Sequence, residues 1–388
     1  MHIVDMIYFW ARTMPQRPAI IHPGGIVTYR ALTQQIERPA EHFARNIPDK
    51  SKPVTVSLAS AAKMLIASLG LLRAGFSIIV AGKNELAHVS AGDSNILVYE
   101  EGQTNLVDRT NIVFDESWLE AGAGAPQPSQ PPSRPRTGDA DIFFVSAGTT
   151  GRPNRVVGMQ HAFDRRIPFN GPFAFADYDR ALLMTDPASA DGFIRACEVL
   201  YAGKTLCFAG PGPKMLWLAN TYDIDLIIAT PQQALALAEL QQKVTRYPLA
   251  TLKATRIDGP PLSPDGIQRI KNHLCRNVIV AYSPAETGMV ALAPHDMIAD
   301  IANAVGFLVP EAEVEIVDAD DNVLAAGSEG FVRLRTTRFV LNFQVEDSNA
   351  WHYPGDVGHL TEDGVLCIAG RKDDVLDPGG VKLSIADI

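Results

Sequence analysis

The stretch Ser146-Ala147-Gly148-Thr149-Thr150-Gly151-Arg152-Pro153-Asn154-Arg155 combines small residues, adjacent hydroxyls, two glycines and two arginines. Glycine lets backbone N–H groups converge on an anion with no Cβ in the way, and threonine hydroxyls add donors. That is the chemistry of a loop that holds phosphate. Taken alone, the stretch also fits an ordinary glycine-rich turn. No Gly-Lys-Ser/Thr closes it, and it is not a G-x-G-x-x-G dinucleotide loop.

Three later stretches add to this chemistry. In Tyr282-Ser283-Pro284-Ala285-Glu286-Thr287 a tyrosine at a strand end can stack on a base, and a glutamate four residues on can bind a cation. A packed aromatic and a surface acid are the alternative. His352-Tyr353-Pro354-Gly355-Asp356-Val357-Gly358 holds an aspartate between glycines in what reads as a tight turn. A carboxylate there can accept from both hydroxyls of a ribose, although most such turns are only turns. Gly370-Arg371-Lys372-Asp373-Asp374-Val375 ends a strand, so that Arg371 can reach the same ligand and the charged run can form a hinge or a solvated loop.

The elements that must position these residues alternate. A helix over 5–20 leads to a short strand 19–22, then a strand 26–29 and a helix 30–46. Strand 54–58, helix 62–74 and strand 76–80 follow, then a short helix near 85–91 and a strand 94–99. Asp141–Val145 reads as a buried strand just ahead of the glycine-rich loop. Beyond it come strands 181–185 and 205–209 around a helix 194–201. Strand 225–229, a helix from Pro231 to Gln242, strand 254–257, helix 264–273 and strand 278–281 continue the series. Such alternation predicts mainly parallel sheets with helices on their faces. After Ala285 strands recur without helices (314–318, 330–336), with turns at Asp320–Asn322 and Glu362–Gly364, and an antiparallel subdomain is expected from about 303 to 370. Gly122–Gly138 is proline-rich and reads as a surface linker.

Composition narrows the function classes. The chain has 388 residues, 46% of them hydrophobic and 20% charged, as in an ordinary α/β protein. The net charge of −10 argues against a nucleic-acid partner. The apolar stretch from Val54 to Gly82 is interrupted by Lys63 and Arg73, so a strand and a buried helix account for it better than a membrane span. No signal peptide is evident. The four cysteines are scattered with no C-x-x-C, which suits a cytoplasmic location and suggests neither disulfides nor a metal site.

In order and spacing, these stretches resemble the acyl-adenylate-forming superfamily: acyl- and aryl-CoA synthetases, adenylation domains of nonribosomal peptide synthetases, and firefly-type luciferases. Ile26–Leu32 and Leu71–Gly75 look like its early structural motifs, Ala147–Val156 like its phosphate loop, and Asp258–Ser263 like its adenine-side loop. Tyr282–Thr287, Gly355-Asp356 and Gly370–Asp373 complete the series. The resemblance implies an α/β core over 1–370, with αβ subdomains to about 302 and a β-rich subdomain over about 303–370. Residues 371–388 would be the hinge and the start of a C-terminal lid domain that is largely absent.

The resemblance also implies roles. Ser146, Gly148, Thr149, Thr150 and Gly151 would cradle the phosphates of ATP, with Thr149 and Thr150 at the reacting group. Gly259 and Pro260 would line the adenine and Tyr282 would stack on it. Glu286 would hold Mg²⁺, Asp356 would bind the ribose with Arg371 beside it, and Asp373 would be the hinge. The implied reaction joins a small carboxylic acid to AMP and passes the acyl group to coenzyme A or a carrier-protein pantetheine. An acyl-carrier protein is thus one partner it admits, and a homodimer another. Alternatives are a standalone adenylation enzyme that loads a carrier, and a degenerate, non-catalytic homologue.

The chain departs from the family's pattern in several places. Ala147, Asn154 and Arg155 stand where the phosphate loop usually has serine and Lys-Gly, and Ser283 and Ala285 where the tyrosine motif has glycine and threonine. The pocket motif Asp186–Phe193 lacks its histidine. The register of the amino-acid-binding aspartate falls on Ala190, with Asp191 one residue off, which argues for an aryl or aliphatic acid. His161 would line the acyl pocket or cap the following helix. The lid's catalytic lysine lies beyond the pattern that this sequence covers.

Overall fold

The alternation of strand and helix is realised in a computed structural model that describes residues 3–102, 108–120, 140–145, 156–158, 175–284, 287–310, 312–336, 351–371, 375–376 and 383–384. The chain divides into two units, Met1–Gly210 with Val340–Phe343, and Pro211–Phe339 with Gln344–Ile388. The proline-rich segment 122–138 lies outside the described residues.

The first unit holds α1 (Ile3–Thr13), β1 (Pro18–His22), β2 (Gly25–Thr28), α2 (Tyr29–Asn46), β3 (Val54–Ser57), α3 (Ala61–Arg73) and β4 (Ile78–Val80). It continues through β5 (Ile96–Tyr99), β6 (Thr110–Val113), β7 (Ile142–Val145), β8 (Val156–Gly158), β9 (Arg180–Leu183), α4 (Ala190–Tyr201) and β10 (Thr205–Cys207). One sheet runs β6-β5-β3-β4-β7-β8, parallel except for the last pair. In the other, β9, β10 and β1 are parallel and β2 is antiparallel.

Local chemistry sets these boundaries. The first helix stops at Thr13 rather than running to 20. Pro15 and Pro18 lack an N–H and push their predecessors out of helical geometry. Tyr29 opens α2 instead of ending a strand, because the Thr28 hydroxyl accepts from the Ala31 N–H and caps the helix there. Helix α3 is buried from Met64 to Arg73, and each fully buried Leu or Ile in it contributes roughly 1.5–3 kcal/mol. Its two interrupting cations are neutralised. Lys63 pairs with Glu100 at 2.8 Å and with Glu116, and Arg73 pairs with Glu37 at 2.8 Å. Strand–helix packing thus accounts for the apolar stretch, and among the described residues no helix is long and apolar enough to cross a membrane.

The second unit holds α5 (Pro213–Thr221), β11 (Leu226–Ala229), α6 (Pro231–Lys243), β12 (Ala254–Asp258), α7 (Pro264–His273) and β13 (Val278–Tyr282). Then come β14 (Ala291–Pro294), β15 (Ala304–Leu308), β16 (Ala312–Val317), β17 (Gly330–Thr336), β18 (Asp356–Leu360), β19 (Val365–Arg371), β20 (Val375–Leu376) and β21 (Leu383–Ser384). Strands β11, β12 and β13 are parallel. From β14 onward the pairing is antiparallel, in the order β16-β17-β18-β19-β15-β14-β13. Val314 and Ile316, Val332 and Leu334, and Leu366 and Ile368 alternate along their strands into one buried cluster that also holds Tyr282.

Candidate functional site

Four of the expected site residues meet in the second unit. Strands β12 and β13 run parallel with Asp258 beside Ala281, so Gly259 and Tyr282 both sit at the carboxyl edge of this pair. Crevices at that edge are where open α/β sheets bind ligands. Gly259 has φ +141°, and a Cβ there would lie 3.0 Å from the Pro231 ring that opens α6. Only glycine takes that backbone easily beside the proline. Pro260 follows it, exposed.

Tyr282 ends β13 and is 8% exposed, with most of its ring in the core of the antiparallel strands. Its hydroxyl donates to Oδ2 of Asp356. Asp356 is not in a turn, as its flanking glycines suggest, but is the first residue of β18. The bend is made by Gly355 alone, at φ +85°. Gly358 is needed for another reason: a Cβ there would lie 2.0 Å from the Cys367 carbonyl of the neighbouring strand.

Arg371, the last residue of β19, is the cross-strand partner of Asp356. Its Nη1 lies 3.9 Å from Asp356 Oδ1, and its Nη2 donates to the Pro354 carbonyl at 3.3 Å. Asp356 is 9% exposed, whereas the Arg371 side chain is 43% exposed. The group therefore presents a buried carboxylate, held by a phenol and flanked by a solvated guanidinium.

Sequence reasoning missed two features. One is the bond from Tyr282 to Asp356. The other is a buried pair one strand away, where Arg256 donates to Asp258 Oδ1 at 2.7 Å from Nη2 and 3.2 Å from Nε. The spacing i, i+2 on a strand places both on one face and was the available signal.

Helix α4 carries Ala190 and Asp191 in its first turn, capped by the Ser189 hydroxyl on the Gly192 N–H at 3.1 Å. It begins four residues earlier than expected because of that cap. Asp191 is engaged with Arg195 Nε at 3.2 Å, and Arg195 in turn donates to the buried Glu198 at 2.7 Å. Strands β7 and β8 flank the glycine-rich loop and pair Val145 with Val156, which brings the two ends of the loop together. Ser146, Gly148, Thr149, Thr150, Gly151, His161, Glu286 and Asp373 lie outside the described residues.

A family model for AMP-binding enzymes matches residues 8–340. The chain belongs to the AMP-binding enzyme family. Tyrocidine synthase 2 of Brevibacillus parabrevis is 22% identical over 404 residues, covering 97% of this chain and 11% of that protein. The mitochondrial acyl-coenzyme A synthetase ACSM5 of Mus musculus is 25% identical over 278 residues, covering 66% of this chain and 47% of the relative. The AMP-binding chain thus spans at most about half the length of these relatives. Its fold is that of O-succinylbenzoate coenzyme A synthetase from Bacillus subtilis, solved in complex with ATP and magnesium ion. The TM-score is 0.82 at 19% identity, with 98% of this chain and 82% of that one covered.

Proposed function

We propose that this chain is the core of an AMP-forming acid–thiol ligase. A small carboxylate attacks the α-phosphate of ATP and pyrophosphate leaves; the thiol of coenzyme A then attacks the acyl carbon of the adenylate, forming the thioester as AMP leaves and the thiol proton is released. The observation that carries the reading is the chain of contacts that sets Gly259 beside the end of β13, the Tyr282 hydroxyl on Asp356, and Arg371 across from Asp356, in a chain whose family match covers most of its length. Acyl-coenzyme A synthetases among the relatives favour the thioester step.

In this proposal Gly259 and Pro260 line the adenine and Tyr282 flanks it. The carboxylate of Asp356 accepts from the ribose hydroxyls, and Arg371 balances its charge from the solvent side. Ser146, Gly148, Thr149, Thr150 and Gly151 take the phosphates, and Arg152 and Arg155 supply positive charge for the leaving pyrophosphate. The protein contributes position and electrostatic stabilisation rather than a nucleophile. Mg²⁺, held through Glu286, would neutralise phosphate charge. Residues 1–370 form the catalytic core in this reading, with the hinge at Asp373 and a cytoplasmic location.

The test is pyrophosphate exchange with Mg-ATP across a panel of aryl, aliphatic and amino acids. The measurement is made on the intact protein, followed by transfer to coenzyme A or to a pantetheinyl carrier. Exchange with an aryl or aliphatic acid and transfer to coenzyme A is the expected result. No exchange with any acid overturns it. Transfer to the carrier alone supports the second reading, a carrier-loading adenylation enzyme. The match to tyrocidine synthase 2 over 97% of the chain favours that reading. Ala147, Asn154 and Ala285 favour a third, a non-catalytic homologue, for which Asn154→Lys with Ala285→Thr should create activity where the parent has none.

A further inference from the structure

We infer that Trp351 and Tyr353 are positioning residues: they pin a strand bulge whose last residue, Asp356, is the one that meets the ribose. The inference rests on the nucleotide reading above. It concerns the backbone that delivers Asp356.

The bulge is read from the strand register. Phe331 of β17 faces Val357 of β18. Further along, Leu334 faces His352, and the two exchange backbone hydrogen bonds of 2.7 and 2.8 Å. Between these pairs β17 contributes two residues, Val332 and Arg333, and the incoming chain four, Tyr353 to Asp356, an excess of two. Pro354 rules out the even register. Continued without the excess, the pairing of β18 would set Pro354 opposite Leu334, and the N–H that His352 now donates there would be missing. Bulges bend a strand and re-aim a side chain, and they recur beside active sites. Here the excess ends on Asp356, the first residue of β18.

Two side chains hold the bulge to the neighbouring strands. The guanidinium carbons of Arg333 and Arg335 lie 4.7 and 4.6 Å from the centroid of the Trp351 ring. Both guanidiniums are themselves fixed from β16: Arg333 Nε donates to Glu315 at 2.9 Å, and Arg335 Nε to Glu313 at 3.1 Å. The Tyr353 hydroxyl donates to Asp321 Oδ1 at 2.8 Å, in the turn between β16 and β17, and accepts from Arg333 Nη1 at 3.4 Å. Tyr353 is 45% exposed, so these bonds serve the bulge rather than the core.

Only Pro354 and Gly355 separate Tyr353 from Asp356, so a shift of the one is passed to the other. With the clamp removed, the bulge spends less of its time where the carboxylate meets a ribose, and the apparent affinity falls with that fraction. The adenine contacts proposed for Gly259 and Pro260 lie on another loop and are expected to persist.

The experiment uses the full 388-residue chain, titrated calorimetrically with Mg-ATP and with Mg-2′,3′-dideoxy-ATP. The wild type is compared with Trp351→Leu, Trp351→Phe and Tyr353→Phe. The wild type is expected to prefer ATP. Trp351→Leu should lower ATP affinity roughly tenfold and dideoxy-ATP affinity less than about twofold. Trp351→Phe keeps an aromatic face for the guanidiniums and should restore most of the loss. Tyr353→Phe removes one exposed hydroxyl, leaves the fold intact, and should lower ATP affinity about threefold with dideoxy-ATP unchanged.

A merely structural role would weaken both nucleotides equally, or lower the unfolding midpoint while the preference for ATP stayed intact; either result overturns the inference. Unchanged ATP affinity in both Trp351→Leu and Tyr353→Phe overturns it as well. In these cases the nucleotide reading survives. A wild type that binds neither nucleotide, or both alike, removes the ribose assignment and this inference together.

Discussion

Replacing Asp356 with alanine separates what the carboxylate does for the fold from what it does for the ligand. On the side of the fold, the variant leaves the Tyr282 hydroxyl, on a residue only 8% exposed, without this acceptor. Removing one hydrogen-bond partner of a buried polar group costs up to about 1–3 kcal/mol. Arg371 adds little, because its guanidinium lies 3.9 Å away and 43% exposed, and such pairs contribute about 0–1 kcal/mol. On the side of the ligand, two charge-assisted bonds from the ribose hydroxyls would be lost. At roughly 1.5–3 kcal/mol each, that is a fall in ATP affinity of about 10²–10⁴-fold. The two effects are read separately, by denaturant unfolding and by calorimetric titration with Mg-ATP. A control with free adenine identifies the ribose as the source. If ATP affinity falls less than threefold, or if adenine weakens in proportion, the carboxylate is not the ribose ligand and the site is wrongly drawn.

Two further outcomes follow from the geometry. Gly259→Ala forces a side chain onto φ +141° and against Pro231 at 3.0 Å. It should cost about 1–3 kcal/mol in a denaturant titration and weaken ATP alongside, whereas an unchanged midpoint would show that the loop yields freely. Burial raises the Glu100 pKa, but the Lys63 ammonium and the Ala59 N–H outweigh it and hold the carboxyl below its ordinary 4.5. A carboxyl depressed in the folded state stabilises fully above its unfolded value, and loses that contribution as pH falls through the folded one. Wild type should therefore exceed Lys63→Met by about 1–2 kcal/mol near pH 7, with the gap closing below about pH 4.5. A gap independent of pH would mean that Lys63 matters through packing alone.

Much of this fold could be read in advance where chemistry is local. Helix α7 spans the expected Pro264–His273, with Ser263 capping it and Pro264 at its first position, and α3 lies one residue ahead of the expected 62–74, with Gly75 just beyond its end. Helix α5 was missed because Gly210-Pro-Gly-Pro213 reads as loop punctuation. In the structure Gly212 takes φ +84° and delivers Pro213 to the first helical position, where a proline belongs. Strand β6 is four residues long and shows no strict alternation, so its existence depends on pairing with β5. Asp356 was mistaken for a turn residue because the reason for Gly358 is the carbonyl of Cys367 on another strand. The contact between Tyr282 and Asp356 bridges 74 residues, and no pattern along the chain announces it.

That separation has a kinetic side. Strands β11 to β13 and the helices between them join near neighbours in sequence. The aspartate reaches the tyrosine only after the long meander of β14 to β19 has closed upon itself. Distant pairings of this kind form slowly, since the chain must give up loop entropy before the contact repays it. On this ground the candidate site is expected to form late in assembly, which stopped-flow refolding of Tyr282 and Asp356 variants would test. A nucleotide that needs the finished carboxylate would leave the refolding rate almost unchanged and slow unfolding instead.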